Sequence, residues 1–169
     1  MTRRRVLEAI TAAVATLVGI AMAVPAAAFL TFPARKRTVS GGEEPLDVAR
    51  IDALPEGKPV RMTVRAKKRL DAWTAHSDVT LGACWLVREG DQVRAMSTVC
   101  PHAGCAVDWD EKSTAFVCPC HDSRFSLAGE RQSGPSPRPL DALDVDVKEG
   151  RVAVAWRRFK TATSKKEPV

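Results

Sequence analysis

The sequence predicts an all-β, antiparallel domain carried behind one N-terminal membrane-spanning helix, and three observations carry that prediction. Apolar residues beyond position 45 recur at a spacing of two, the period of half-buried strands. Residues Ala9 to Ala34 contain no charged side chain, enough for a helix to cross a bilayer core of about 30 Å. Turn chemistry marks Glu89-Gly90-Asp91 and dominates the stretch from Ser133 to Pro139. At 169 residues, 45% hydrophobic and 27% charged, the chain has room for one ordinary domain with an appended segment, and disorder and collagen-like repetition are excluded.

The first element, residues 1–34, opens with Thr2-Arg3-Arg4-Arg5-Val6-Leu7, which resembles the bacterial twin-arginine export signal, with Glu8 where that signal often has Lys. Ala26-Ala27-Ala28 offers a small-residue cleavage site, but the apolar run continues through Phe29, Leu30 and Phe32, which favours retention as an anchor. Basic residues flank the run on both sides, so its orientation rests on the export signal: N-terminus in the cytoplasm, domain outside it. Residues 35–44, with Ser40-Gly41-Gly42, read as a flexible linker. A domain is expected over 45–160, followed by a polar tail over 161–169.

Strands follow from alternation. Val60, Met62 and Val64 alternate with Arg61, Thr63 and Arg65. Leu143, Val145 and Val147 alternate with Asp144, Asp146 and Lys148, and Val152, Val154 and Trp156 share a face. Cys84 to Val87 and Gln92 to Thr98 form a hairpin around Glu89-Gly90-Asp91. Three Pro between Ser133 and Pro139 make that stretch a loop. There is no internal repeat, no nucleotide-binding glycine loop and no Ser-His-Asp arrangement.

Four of the five Cys lie in the 21 residues from Cys100 to Cys120, in the halves Cys100-Pro101-His102-Ala103-Gly104-Cys105 and Cys118-Pro119-Cys120-His121-Asp122-Ser123. Structural zinc would use two Cys and two His and leave two Cys over. Disulfides alone would leave both His unexplained. An iron-sulfur cluster of mixed ligation uses every one of them.

These halves resemble the Rieske 2Fe-2S proteins, whose pattern is Cys-x-His-x-Gly-Cys, a gap of about fifteen residues, then Cys-x-Cys-His-x-Ser; here 15 residues separate His102 from Cys118. The resemblance implies a Rieske-type antiparallel β-sandwich with cluster-binding loops and one 2Fe-2S cluster. It also implies that Cys100 and Cys118 bind one iron, that His102 and His121 bind the other, and that a disulfide joins Cys105 to Cys120. Ser123 stands where the family places a hydroxyl that hydrogen-bonds a bridging sulfide.

Within the family, the disulfide pair and the anchor are similar to the subunits of cytochrome bc-type quinol:cytochrome c oxidoreductases rather than to oxygenase ferredoxins. The tract Gly134 to Leu140 looks like their proline loop, and Val107-Asp108-Trp109 and Arg158-Phe159-Lys160 are similar to bacterial members. The resemblance implies cytochrome b and a c-type cytochrome as partners, quinol at the partner interface, His121 as the residue that meets it, and an enzyme only as part of that complex. It places the chain in the bacterial inner membrane, single-pass, with the domain on the periplasmic side. The small subunit of an arsenite oxidase and a stand-alone anchored carrier share most of these features.

Three positions depart from the pattern. Phe125 stands where high-potential members have Tyr, Asp122 replaces a common Gly and adds charge beside His121, and Ala103 takes a place often held by Leu; the first two imply a lowered potential suited to menaquinol. Cys84 reads as a buried hydrophobe, His76 as a surface residue, and Trp73, Trp85, Trp109 and Trp156 as packing. The net charge of +6 does not point to nucleic acid: residues 71–159 carry 10 basic against 13 acidic side chains, and the basic excess lies outside them.

Overall fold

The computed structural model describes residues 2–35, 44–70 and 74–169. The linker expected at 35–44 falls almost wholly outside them, as does Trp73. Helix α1, Arg3–Arg35, presents Leu, Val, Ile and Phe side chains outward along its length. Within Arg3–Phe32 an 18-residue window reaches a mean hydropathy of 2.2, and the helix is long and apolar enough to cross a membrane. The hydroxyls of Thr11, Thr16 and Thr31 donate to the carbonyls of Leu7, Ala12 and Ala27 at 2.8–2.9 Å. Those bonds hide otherwise costly polar groups from lipid.

The domain is antiparallel β, as its two-residue period predicts. The strands are β1 (Leu46–Arg50), β2 (Pro59–Leu70), β3 (Ala75–Glu89), β4 (Gln92–Ser97), β5 (Asp108–Asp110), β6 (Ala115–Cys118), β7 (Ser123–Phe125), β8 (Arg131–Ser133), β9 (Ala142–Lys148) and β10 (Arg151–Ala155). A six-stranded sheet runs in the order β1-β10-β9-β4-β3-β2, and a four-stranded sheet in the order β5-β6-β7-β8. Glu89 pairs with Gln92, so the predicted hairpin turns on Gly90-Asp91 alone, with Gly90 at φ +64°.

Each sheet has its own core. Val64, Cys84, Leu86, Ala95, Leu143, Val152 and Val154 fill that of the large sheet, joined by Leu46 and Val48 from its far edge. Apolar groups from both ends of the strand order share one interior, so the sheet curls over itself. Trp85, Met96, Val107, Phe116, Phe125 and Leu140 fill the second core together with Cys100 and Cys118. Trp85 Nε1 donates to the Val107 carbonyl at 3.0 Å, and both Trp85 and Trp109 pack on Phe116. Trp156 covers Gly82, where a Cβ would stand 2.5 Å from its ring.

Strands β4 and β9 are neighbours, with Met96 opposite Ala142, although the whole small sheet lies between them in sequence. Beyond β10 the chain doubles back: Lys160 N donates to Glu167 O at 2.9 Å and Val169 N to Arg158 O at 3.0 Å. Lys166 Nζ reaches the Ala142 carbonyl at 2.6 Å. Residues 161–169 are therefore bonded to the domain.

Candidate metal centre

Both Cys/His halves are loops closed by backbone geometry. The first follows β4, and Cys100 N donates to Cys105 O at 2.8 Å while Gly104 N donates to Cys100 O at 3.0 Å. Gly104 holds φ +80°, a left-handed conformation that suits glycine. The second half is the tip of the β6–β7 hairpin, where Cys118 pairs with Ser123 and residues 119–122 project beyond the sheet. Asp122 there has φ +53°, which explains why glycine is favoured at this place and why Asp, which tolerates αL, can replace it.

A disulfide joins Cys105 to Cys120 and fastens the two tips together. Cys84, Cys100 and Cys118 are free and buried. Burial pushes the Cys84 thiol up to about 12, so it stays protonated within the large-sheet core. Burial also raises the Cys100 thiol, and the neighbouring Cys118 adds to that, while backbone N–H groups of His102 and Ala103 directed at its sulfur pull the other way. Paired sulfurs served by amide donors are a setting that favours bound metal, which would displace the thiol protons and bind the sulfurs as thiolates.

The imidazoles of His102 and His121 lie edge to face with ring centroids 4.7 Å apart. His121 is exposed and His102 half-buried. Nδ1 of His102 is buried without a hydrogen-bond partner, a costly condition that a metal ion would relieve. Two buried thiols, two facing imidazoles and one orphaned ring nitrogen fit a 2Fe-2S group of mixed ligation. The sulfurs of Cys105, Cys118 and Cys120 also crowd within 4.8 Å of one another, but the disulfide consumes two of them.

Further residues shape the site. Ser123, fully buried, accepts a hydrogen bond from Ser136 N at 3.2 Å, which leaves its hydroxyl hydrogen to donate elsewhere. Phe125, also fully buried, is two residues along β7 and so shares the Ser123 face. The Asp122 carboxylate is paired with Arg124 at 3.1 Å, which offsets the charge it places beside His121. Ala103 is exposed at the tip of the first loop, and His76 is exposed in β3. Gly134 lies so close to the second loop that a Cβ would stand 2.4 Å from the Ser123 Cα.

One group had no distinct signal in the sequence: Arg138 and Asp141 form a buried, bidentate ion pair with both bonds at 2.9 Å. A basic residue three positions before an acid in a Pro-rich loop looks like solvated surface.

A family model described as "Rieske [2Fe-2S] domain" matches residues 44–150. The menaquinol:cytochrome c reductase iron-sulfur subunit of Bacillus subtilis is 29% identical over 154 residues, covering 89% of each chain. The cytochrome b6-f complex iron-sulfur subunit 2 of Trichormus variabilis is 29% identical over 169 residues, 98% of this chain and 92% of that one. The corresponding subunit of Chlorobaculum tepidum is 37% identical over 70 residues, 41% of this chain and 39% of its own length. Among solved structures, the cyanobacterial plasma membrane Rieske protein of Synechocystis is similar at 32% identity and a TM-score of 0.39, covering 43% of this chain and 76% of that one.

Proposed function

The chain belongs to the Rieske 2Fe-2S family, and from that premise we propose that it is the electron-carrying iron-sulfur subunit of a membrane quinol:cytochrome c oxidoreductase. The pairing of His102 with an exposed His121, beside two buried free thiols, carries the reading. In it, Cys100 and Cys118 would hold one iron and His102 and His121 the other. When bound, the cluster supplies a one-electron acceptor at about −150 to +300 mV, against about −400 mV for plant-type all-thiolate ferredoxins.

The residues divide the remaining work. The His121 imidazole, at the exposed tip of its hairpin, meets the quinol hydroxyl presented by a partner cytochrome b, accepts its hydrogen bond and takes its proton on the ring nitrogen not spent on iron. Ser123 directs its hydroxyl hydrogen inward. The disulfide holds the two tips in register, and α1 anchors the head in a bacterial inner membrane with the domain on the periplasmic side, reached by the twin-arginine route. A c-type cytochrome takes the electron onward. Catalysis belongs to the assembled complex, because a quinol pocket and hemes must come from the partners.

Phe125 bears on which quinol. It stands beside Ser123 on the buried face but has no hydroxyl to donate toward a ligand sulfur, so the reduced state is less stabilised, which suits the weaker oxidant needed for menaquinol; the Bacillus subtilis relative carries menaquinol in its name. Phe125→Tyr is expected to raise the midpoint potential by roughly 40 mV, the equivalent of about 1 kcal/mol for one electron. An EPR-monitored redox titration of both proteins reads it, and an unchanged or lowered potential removes this account.

The function is tested by purifying the full chain from its native membrane. Cytochrome b and a c-type cytochrome should accompany it, with quinol-dependent reduction of the cluster. A molybdopterin subunit in their place would overturn the proposal in favour of arsenite oxidation.

A further inference from the structure

Arg138 is 7% exposed, and the proposed electron transfer makes no use of it. Its Nε and Nη2 take the two oxygens of Asp141 at 2.9 Å each. The outer hydrogens go to the C-terminal segment: Nη2 donates to Lys160 O at 2.7 Å and Nη1 to Thr163 O at 2.5 Å. Between those two carbonyls, Ala162 N donates to Pro101 O at 2.8 Å. Pro101 is the buried residue between Cys100 and His102.

Ala162 makes that bond at φ +57°, a conformation alanine avoids unless its surroundings impose it. The base of the device is fixed as well. Asp141 O accepts Ser97 N at 2.8 Å at the end of β4, and Ser136, whose N–H serves Ser123, donates its own hydroxyl to Arg138 O at 2.8 Å. A planar guanidinium can serve a carboxylate and two carbonyls at once, whereas a single ammonium cannot reproduce that fork.

We propose that residues 160–163 form a strap that Arg138 holds across the first Cys/His loop, and that Arg138 is thereby a positioning residue for His102. The strap grips the Pro101 carbonyl from outside, restricting the backbone that presents the imidazole. The guanidinium joins the Asp141 carboxylate to the C-terminal segment, while the backbone carbonyls of Asp141 and Arg138 tie that pair to the end of β4 and to the proline loop. The role in iron binding rests on His102 being a ligand, as proposed above; the strap itself does not.

Two variants test it in the loaded protein: Arg138→Lys in the full chain, and a chain shortened to end at Phe159. In both, hydrogen exchange at the amides of Cys100 and Gly104 should accelerate roughly tenfold or more, while the Ser123 amide is unchanged. The EPR line shape of the reduced cluster should alter in both. Unchanged first-loop exchange in either folded variant overturns the strap, as does equal acceleration in both loops, which would mean general loosening. If the shortened chain fails to fold, Arg138→Lys decides alone, and wild-type exchange and line shape there overturn the proposal. Repeating the exchange in the metal-free protein separates the two readings: iron retained in His102→Ala would remove the ligand assignment, yet leave the strap's effect on exchange intact.

Discussion

Replacing Cys118 by Ser, or His102 by Ala, is expected to empty the centre: iron falls from about two atoms per chain to near zero, and the visible absorption and EPR signal go with it. The reasons differ between the two. Cys118 is a buried free thiol beside that of Cys100, and on the proposed ligand set its thiolate would be one of the two sulfur donors to iron. His102 carries the buried Nδ1 that has no hydrogen-bond partner, which a bound metal ion would satisfy. Cys84→Ala is the control. That thiol is fully buried in the other core, and its removal should leave iron at the wild-type level. Full iron retention in the Cys118 or His102 variant, measured by metal analysis of freshly purified protein, would refute the ligand set.

Gly134→Ala should damage the protein although it replaces none of the proposed ligands. A Cβ there meets only backbone: Ser123 Cα at 2.4 Å, and Asp122 O and Ser123 N at 2.8 Å. No side chain can swing aside, so the proline loop must lift or the second Cys/His loop must shift. The glycine also holds φ +87°, where alanine is strained. Together these should cost about 2–4 kcal/mol of stability. Lifting the loop breaks the bond from Ser136 N that orients the Ser123 hydroxyl, so the midpoint potential should fall as well. Calorimetry and a redox titration of the loaded protein check both parts, and a variant with wild-type melting and potential would show that the loop yields freely.

Much of this fold is legible in the sequence, because the strands obey simple alternation. Val64, Val152 and Val154 are fully buried, as the spacing of two requires, and the Glu89–Gln92 hairpin announces itself by its glycine. The Cys/His spacing is legible for a different reason: a metal centre needs particular donor atoms, and few other uses would repeat them in two linked halves. The curled shape of the large sheet is not legible, because alternation tells which face is buried and not which distant strand lies over it. The attachment of residues 161–169 escapes notice too. Composition there is polar, and what binds it is backbone carbonyls meeting one arginine, a recognition that leaves no pattern in its own side chains. Asp122 illustrates a subtler limit: its sign of charge is visible in sequence, but the Arg124 that offsets it is known only once β7 places the two together.

The adjacency of β4 and β9 bears on how such a chain could have arisen. Met96 faces Ala142 across a continuous sheet, so residues 98–141, with all four proposed iron donors, the disulfide and the proline loop, leave and re-enter the large sheet at neighbouring points. Topologically the redox part is an overgrown turn of a hairpin. A lineage could lengthen, exchange or discard it without rethreading the host barrel-like sheet, and an engineer could transplant it wherever two antiparallel strands end side by side.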